Sequence, residues 1–490
     1  MSPQIIVACI ALYFLVLLFI AWWTSRKAGN HDFFLGSKKS PWLIVAYGMI
    51  GTSLSGVTFM SVPGDVFKNH FMYMQVVIGY FLGYFVVAFV LLPLYYRLNL
   101  TSIYSYLQNR FGVAAYKTGA SFFLLSRTLG ASIRIYLVLM VLQHSVLDAM
   151  QIPFALTVMV ILFMILLYTF NGGVKTIVWT DMLQTTGMIL ALIITIYLIA
   201  HELNFSFAEL LQAIHAEGFT QTFQIDNWKA DNFFLKQIIG GAFVTIAMTG
   251  LDQEMMQKNI SVRTLRESKK NMMVFSIILV LVNFLFVTLG GALYVFMIQK
   301  GISFPQVSDE TFSTLALHSL PAIAGLIFIV GLVSALFPSA DGALTALTSS
   351  FCIDILGLKE KAEWSEEKKM KVRRIVHVSI TGLFIVLILI YQQLISGSVI
   401  WTILKVAGYT YGPLLGLFAF GIFTNRKLSG WLVPVVCLVS PVAVYILAMN
   451  SEKLLDGYKF GWELLVVNGL LTFSGLLLIS SKSNSTRIPE

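Results

Sequence analysis

The chain has 490 residues, of which 57% are hydrophobic and only 12% charged, and its mean hydropathy is +0.82. A soluble protein of that length carries roughly twice the charge, so this is an integral membrane protein with many helices. The formal net charge of +9 reflects membrane topology rather than nucleic-acid binding, because the basic residues lie mostly on one side of the spans.

Apolar runs of about 17–25 residues or longer predict thirteen spans. They lie near 5–23, 42–67, 73–96, 118–146, 153–170, 177–200, 235–251, 272–298, 313–353, 375–394, 398–423, 428–449 and 462–480. The first run has no basic segment before it, so it reads as a retained helix and not as a cleaved leader. The run 313–353 is too long for one straight span, and should divide into a short external helix and a membrane helix starting near Ile323. With the N-terminus outside, the cytoplasmic connections are 24–41, 97–117, 171–176, 252–270, 354–374, 424–427 and 481–490. They hold 24 of the 33 basic residues, against six in the external connections. The split predicts a multi-pass protein of the cell membrane with its C-terminus in the cytoplasm. The lipid bilayer is one partner, nucleic acid is not, and a monomer suffices for such a bundle. Cys9, Cys352 and Cys437 are widely spaced in apolar surroundings, which predicts neither a metal cluster nor a structural disulfide.

The second run is unlike a lipid anchor. Gly51–Gly64 holds three glycines, Pro63 and five hydroxyl residues. Glycine and proline weaken the helical ladder, and a backbone opened at membrane depth survives only beside protein, water or a ligand. A break here exposes carbonyls to a cation and hydroxyls to a solute.

Five ionisable groups remain at depth: Arg127, Arg134, Asp181, Asp341 and Lys405. Each costs roughly 2.5–3.5 kcal/mol on insertion scales, which is seldom carried without function. Arg127 and Arg134 are seven apart and share a helix face, suited to a carboxylate or phosphate of a solute. Mutual pairing with an aspartate is the structural alternative. Asp341 follows Pro338-Ser339-Ala340. Pro338 has no N–H, so the Ser334 carbonyl loses its helical partner. That carbonyl, the Ser339 hydroxyl and the Asp341 carboxylate are oxygen ligands of the kind Na⁺ prefers; proton binding at Asp341 is the competing reading. Asp252, Gln253, Gln257 and Lys258 read as a cap or inner-gate contact at a cytoplasmic helix end.

These residues carry a resemblance. The motifs are Asp32-Phe33-Phe34-Leu35-Gly36, then Leu54-Ser55-Gly56-Val57-Thr58-Phe59-Met60-Ser61-Val62-Pro63. Gly172-Gly173, Trp179-Thr180-Asp181, Asp252-Gln253 with Gln257-Lys258, and Gly412-Pro413 leading to Gly416-Leu417-Phe418 follow in order. Together they resemble the sodium:solute symporter family over about residues 1–480, most of all its bacterial sialic acid type. The resemblance implies an all-α LeuT-like fold of about 13 transmembrane helices with two inverted five-helix repeats. It divides the chain into 1–41 (an extra helix and loop), 42–200 (first repeat), 201–234 (external loop), 235–423 (second repeat) and 424–490 (two C-terminal helices and a tail).

It also implies site roles. Na⁺ is held by the Gly51 and Leu54 carbonyls with Ala335, Pro338 and Ser339, where Pro338 stands in place of a usual serine. A second cation site uses Asp181, with Asp341 and Gly342 at positions that are serines in the sialic acid type. Ser55 and Thr58 face the solute. The family's carboxylate-gripping arginine aligns with Gly130, so Arg127 and Arg134, a turn away on either side, are the substitutes. The implied function is import of a small organic solute, such as a sugar, sugar acid or other organic anion, by Na⁺-coupled symport and without an organic cofactor. An H⁺-coupled transporter using Asp341, or an intramembrane enzyme, is the alternative; the chain has no carboxylate pair or histidine in a catalytic spacing that favours the enzyme.

Overall fold

In a bilayer the backbone must satisfy its own polar groups, so an apolar chain folds as helices. The computed structural model describes residues 3–25, 40–394 and 406–482, the side chains of residues 3, 25 and 171–175 left aside. The Asp32–Gly36 motif, Lys405 and the start of the 398–423 run lie outside these described residues. Among the described residues, eight helices are long and apolar enough to cross a membrane, or nine if one bent pair counts as a span, with four shorter apolar helices besides.

The first helix is Pro3–Ser25, and the run 42–67 is broken. Trp42–Ser53 ends, Leu54 (φ −88°, ψ 91°) and Ser55 (φ −80°, ψ 174°) are extended, and Gly56–Asn69 resumes. After His70, at φ 50°, Tyr73–Val86 continues through a π-turn into Leu92–Arg97. Val113–Leu142 and Phe154–Glu202 complete the first half of the bundle. The helix Phe207–Ala216 is amphipathic and opens on a capping box, with the Glu209 N–H donating to Ser206 Oγ at 3.3 Å and the Ser206 N–H to Glu209 Oε2 at 2.7 Å.

The second half also begins with a broken helix. Phe234–Gly250 bends by 64° into Gln253–Ile260. The sequence placed this segment beyond the end of the 235–251 span, in a cytoplasmic connection; the helix instead turns back into protein, and every residue of Gln253–Ile260 is buried. Leu265–Lys300 follows. The run 313–353 divides where Pro321 stands, into Thr311–His318 and Ala322–Ser350, the latter carrying Pro338 inside it. Glu366–Leu394, Gly412–Phe423, Val433–Met449 and Leu464–Leu478 close the chain.

Small residues set how closely the two halves approach. A Cβ on Gly241 would run into the Val76 carbonyl, and one on Gly79 would lie 3.0 Å from Gly241 Cα. Helices Tyr73–Val86 and Phe234–Thr245 therefore meet backbone to backbone, which only glycine permits. Gly241→Ala is expected to lower thermal stability in detergent by about 1–3 kcal/mol through overpacking. Gly382→Ala, where nothing lies within 4 Å, is the control and should leave the melting temperature unchanged.

Candidate functional site

The first break defines the site. Helical bonding stops with Leu54 N–H donating to Ile50 C=O at 2.8 Å, and resumes with Phe59 N–H to Ser55 C=O at 3.1 Å. The carbonyls of Gly51 to Leu54 thus fall between the two ladders. Ser55 stands at the N-cap of the second half, yet its side chain makes no capping bond. Neither Ser55 nor Thr58 bonds its hydroxyl back to its own helix, which is what a purely structural hydroxyl in a membrane helix does. Glycines bring neighbours close: a Cβ on Gly48 would lie 3.0 Å from Asp181 Cβ, and one on Gly56 would strike Val138. The Gly51 N–H donates to Thr185 Oγ1 at 3.1 Å.

A cavity of about 120 Å³ opens at the break. Leu54, Ser55 and Thr58 line it from the first broken helix, Tyr73, Tyr80 and Tyr84 from Tyr73–Val86, and Arg127 and Arg134 from Val113–Leu142. The four residues expected to face a solute are therefore in one chamber. The two arginines differ in their partners. Arg127 is buried, ion-paired through Nη2 with Glu254, and its Nη1 lies 3.8 Å from Asp252 Oδ2. The structural alternative of pairing thus describes Arg127: its nearer partner is Glu254 and its second the buried Asp252, and not Asp181 or Asp341. No carboxylate pairs with Arg134 among the described residues, and it keeps a partly open face towards the cavity.

Glu254 extends the network. Lys258, one turn further along the same helix, has its Nζ 3.7 Å from Glu254 Oε1 and 2.7 Å from Asp181 Oδ2. The same ammonium donates to Thr52 Oγ1 at 2.6 Å, and Thr52 Oγ1 in turn reaches Asp181 Oδ2 at 3.3 Å. Lys258 is 3% exposed, so it is a buried charge and not a solvated one. Asp252 caps the Gln253–Ile260 helix, accepting from the Glu254 and Met255 N–H groups at 2.9 and 3.3 Å, and takes the Tyr411 hydroxyl at 3.0 Å. Carbonyls freed at this second bend are met by tyrosines: Tyr95 donates to Gly250 C=O at 2.8 Å and Tyr104 to Leu251 C=O at 2.9 Å.

On the proline helix, Ala335, Ser339 and Asp341 are all buried. Asp341 Oδ2 accepts the Tyr168 hydroxyl at 2.7 Å, while Asp341 Oδ1, Ser339 Oγ and Thr345 Oγ1 have no partner. Buried polar atoms are nearly always bonded, so three orphans within two turns stand out, although Ser339 and Asp341, two residues apart, lie on different faces of the helix. The helix packs on both halves of the first broken helix. The Ser334 hydroxyl, a turn before Pro338, donates to the Tyr13 hydroxyl at 3.0 Å, and the Tyr13 ring stacks on Phe337 with centroids 6.1 Å apart. The first helix thus packs against the proline helix beside Pro338.

Asp181 and Asp341 therefore differ. The positive charge beside Asp181 is the Lys258 ammonium, whereas Asp341 has a hydroxyl on one oxygen and nothing on the other. Sequence reasoning missed Glu254, Lys258 as a buried group, Tyr168 and Thr52. The spacing of Glu254 and Lys258 by four was legible as an ion-pair signal, but the 64° bend that carries them inside was not.

The sequence matches the model of the Sodium:solute symporter family over residues 33–430. Among characterised relatives, the sodium/sialic acid symporter SiaT of Proteus mirabilis is 27% identical over 454 residues, covering 89% of this chain and 88% of that protein. The sodium/sialic acid symporter NanT of Aliivibrio fischeri is 26% identical over 479 residues, covering 95% and 91%. Among solved structures, a substrate-bound, outward-open Na⁺-coupled sialic acid symporter superposes with a TM-score of 0.83 at 22% identity, over 97% of each chain. That likeness is one of fold.

Because Glu254 sits between Arg127 and Lys258, its loss removes the nearest carboxylate of Arg127 and one of the two beside Lys258 in a dry interior. Glu254→Ala is expected to cost about 3–5 kcal/mol of stability, as for a broken buried ion pair. Thermal unfolding in detergent checks this, and a Glu254→Ala melting point equal to the wild type would remove the network from any structural role.

Proposed function

The chain belongs to the sodium:solute symporter family, and from that premise we propose how its site takes Na⁺ and an organic anion. It is a multi-pass membrane transporter of LeuT-like fold and not an enzyme, and Na⁺ is its coupling ion. The proposal concerns the solute, the residues and the topology.

The carrying observation is Arg134, a guanidinium that lines the cavity at the helix break with no carboxylate partner among the described residues. An arginine left so in a membrane interior is matched to an anion that arrives with the solute, and its fork binds a carboxylate through two parallel bonds. Ser55 and Thr58, with hydroxyls not bonded to their helix, take the polar groups of that solute, and the three tyrosines enclose its body. Arg127 lines the same cavity while Glu254 and Asp252 hold it, so it shapes the chamber and adds to its field. Relatives that transport sialic acid support a sugar acid or similar organic anion as the cargo.

For Na⁺, the Gly51 and Leu54 carbonyls, freed by the break, face the proline helix with Ala335, the orphan Ser339 hydroxyl and Asp341. The donor set is all oxygen, which a hard cation requires. Arg127, Arg134 and Lys258 against Asp181, Asp252, Glu254 and Asp341 leave the site with one net negative formal charge, which a bound Na⁺ neutralises. Binding there fixes the broken helix and pre-organises Ser55 and Thr58, so ion and solute raise each other's affinity. Each charge carried inward adds roughly 2.3 kcal/mol per 100 mV of driving force.

For topology, the N-terminus lies outside and the C-terminus in the cytoplasm. With Lys258 counted as buried, the basic residues still divide heavily towards one side. Residues 42–200 and 235–423 form the inverted repeats, supported by a break in the first helix of each, at Leu54–Ser55 and at Leu251–Asp252. Residues 1–41, 201–234 and 424–490 are the leading helix, external loop and C-terminal helices.

A thermal-shift screen of purified protein over sialic acids, sugar acids, neutral sugars, polyols and amino acids, in Na⁺ or in K⁺, tests the reading. An anionic solute should raise the melting temperature in Na⁺ only. Arg134→Gln should weaken that solute by about 10–100-fold, the worth of a charge-assisted hydrogen bond, while Asp341→Asn and Ser339→Ala raise the Na⁺ concentration needed. Stabilisation by neutral sugars alone, unchanged in Arg134→Gln, would overturn the anion assignment.

A further inference from the structure

Three oxygens converge on one buried point from three separate elements. Thr52 Oγ1 comes from the first broken helix, Asp181 from Phe154–Glu202, and Glu254 from the second broken helix. At that point stands Lys258 Nζ, 2.6 Å from Thr52 Oγ1, 2.7 Å from Asp181 Oδ2 and 3.7 Å from Glu254 Oε1. Asp181 is 1% exposed, Glu254 2% and Thr52 2%, so no bulk water completes the shell. Glu254 Oε1 has no hydrogen-bond donor, which leaves one acceptor of the cluster unfilled. A Cβ on Gly342 would run into Glu254, so the proline helix presses the cluster from the fourth side.

A lysine ammonium is a compact point charge on a flexible stem. It demands what Na⁺ demands: a small shell of oxygens with enough negative charge to replace water. We propose that Lys258 occupies, as a tethered cation, a site that would otherwise take a Na⁺ ion between Thr52, Asp181 and Glu254. This rests on the reading of the chain as a Na⁺ symporter and deepens it, since it sets which carboxylates are available to free Na⁺. The tethered charge is not released at the inner face, so this cluster contributes no ion to the transport cycle. Free Na⁺ is left to the oxygens of the proline helix, where Ser339 Oγ and Asp341 Oδ1 stand unpartnered. The ammonium also holds the two broken helices and Phe154–Glu202 together without waiting for an ion to arrive.

Equilibrium binding of radiolabelled Na⁺ to the purified full-length protein, in a K⁺ background without solute, tests this. Lys258→Met keeps the length of the side chain and removes its charge. It should bind one Na⁺ per chain more than the wild type, because the vacated cluster fills. The double variant Lys258→Met, Asp181→Asn should return to the wild-type number. It leaves no lone charge in the interior and so shows that the extra ion needs Asp181; where Lys258→Met fails to fold, Lys258→Gln, which removes the charge but keeps a donor for Asp181, is read in its place and should also gain one ion. A folded Lys258→Met that binds the wild-type number, or a double variant that binds fewer ions than the wild type, overturns the proposal, the latter because Asp181 would then be a ligand of free Na⁺. A wild type that binds no Na⁺ would instead overturn the symport reading itself.

Discussion

Inside a bilayer a carbonyl without a donor must find one or find a cation, and the run from Gly51 to Leu54 has several. That constraint organises the bundle. Glycines at 48, 51 and 56 let Val113–Leu142 and Phe154–Glu202 close around the break. The proline helix lies across it, and the cavity opens where the chain is extended at Leu54 and Ser55. The second break repeats the problem and solves it differently. There the freed carbonyls are met by Tyr95 and Tyr104, so the second bend is sealed by protein, while a cavity opens at the first.

The charges follow from the same geometry. The second bend carries Asp252, Glu254 and Lys258 into the interior, next to Arg127 and Asp181, and they form one connected network from the solute cavity to the floor of the first break. Buried ion pairs are a weak source of stability, because desolvation offsets their attraction, but they are costly to break. Their value here lies in register. Thr52, Asp181 and Glu254 belong to elements that must keep their relative positions if solute and ion are to meet, and Lys258 fastens all three. Among the described residues Arg134 and Asp341 form no ion pair with this network, and in the proposed function they are the groups that meet solute and ion.

How much of this was legible in the sequence can be judged residue by residue. The break was: glycines and hydroxyls clustered in an apolar run announce it without tertiary information, since helix propensity is local. The division of 313–353 was also visible, from length alone. The arginines could be set on one face by their spacing, but spacing does not say which of them is satisfied. Glu254, more than a hundred residues away from Arg127, decides that. Lys258 was counted with the cytoplasmic basic residues because Asp252 and Gln253 end an apolar run, and hydropathy cannot distinguish a loop from a helix that turns back into polar surroundings.

The sequence by itself therefore determined the class, the membrane, the broken helix and the family, because composition, hydropathy period and short motifs are properties of neighbouring residues. The tertiary structure decided which buried charges are spent on one another and which remain open. A side chain's partner in a helical bundle comes from another helix, and the hydrophobic pattern that drives each helix into the membrane carries no record of which polar groups it will face there. Gly51–Leu54 could be read as a place to hold a cation. That Asp181 beside it already has one, in the form of Lys258, became visible only when the second broken helix bent back by 64°.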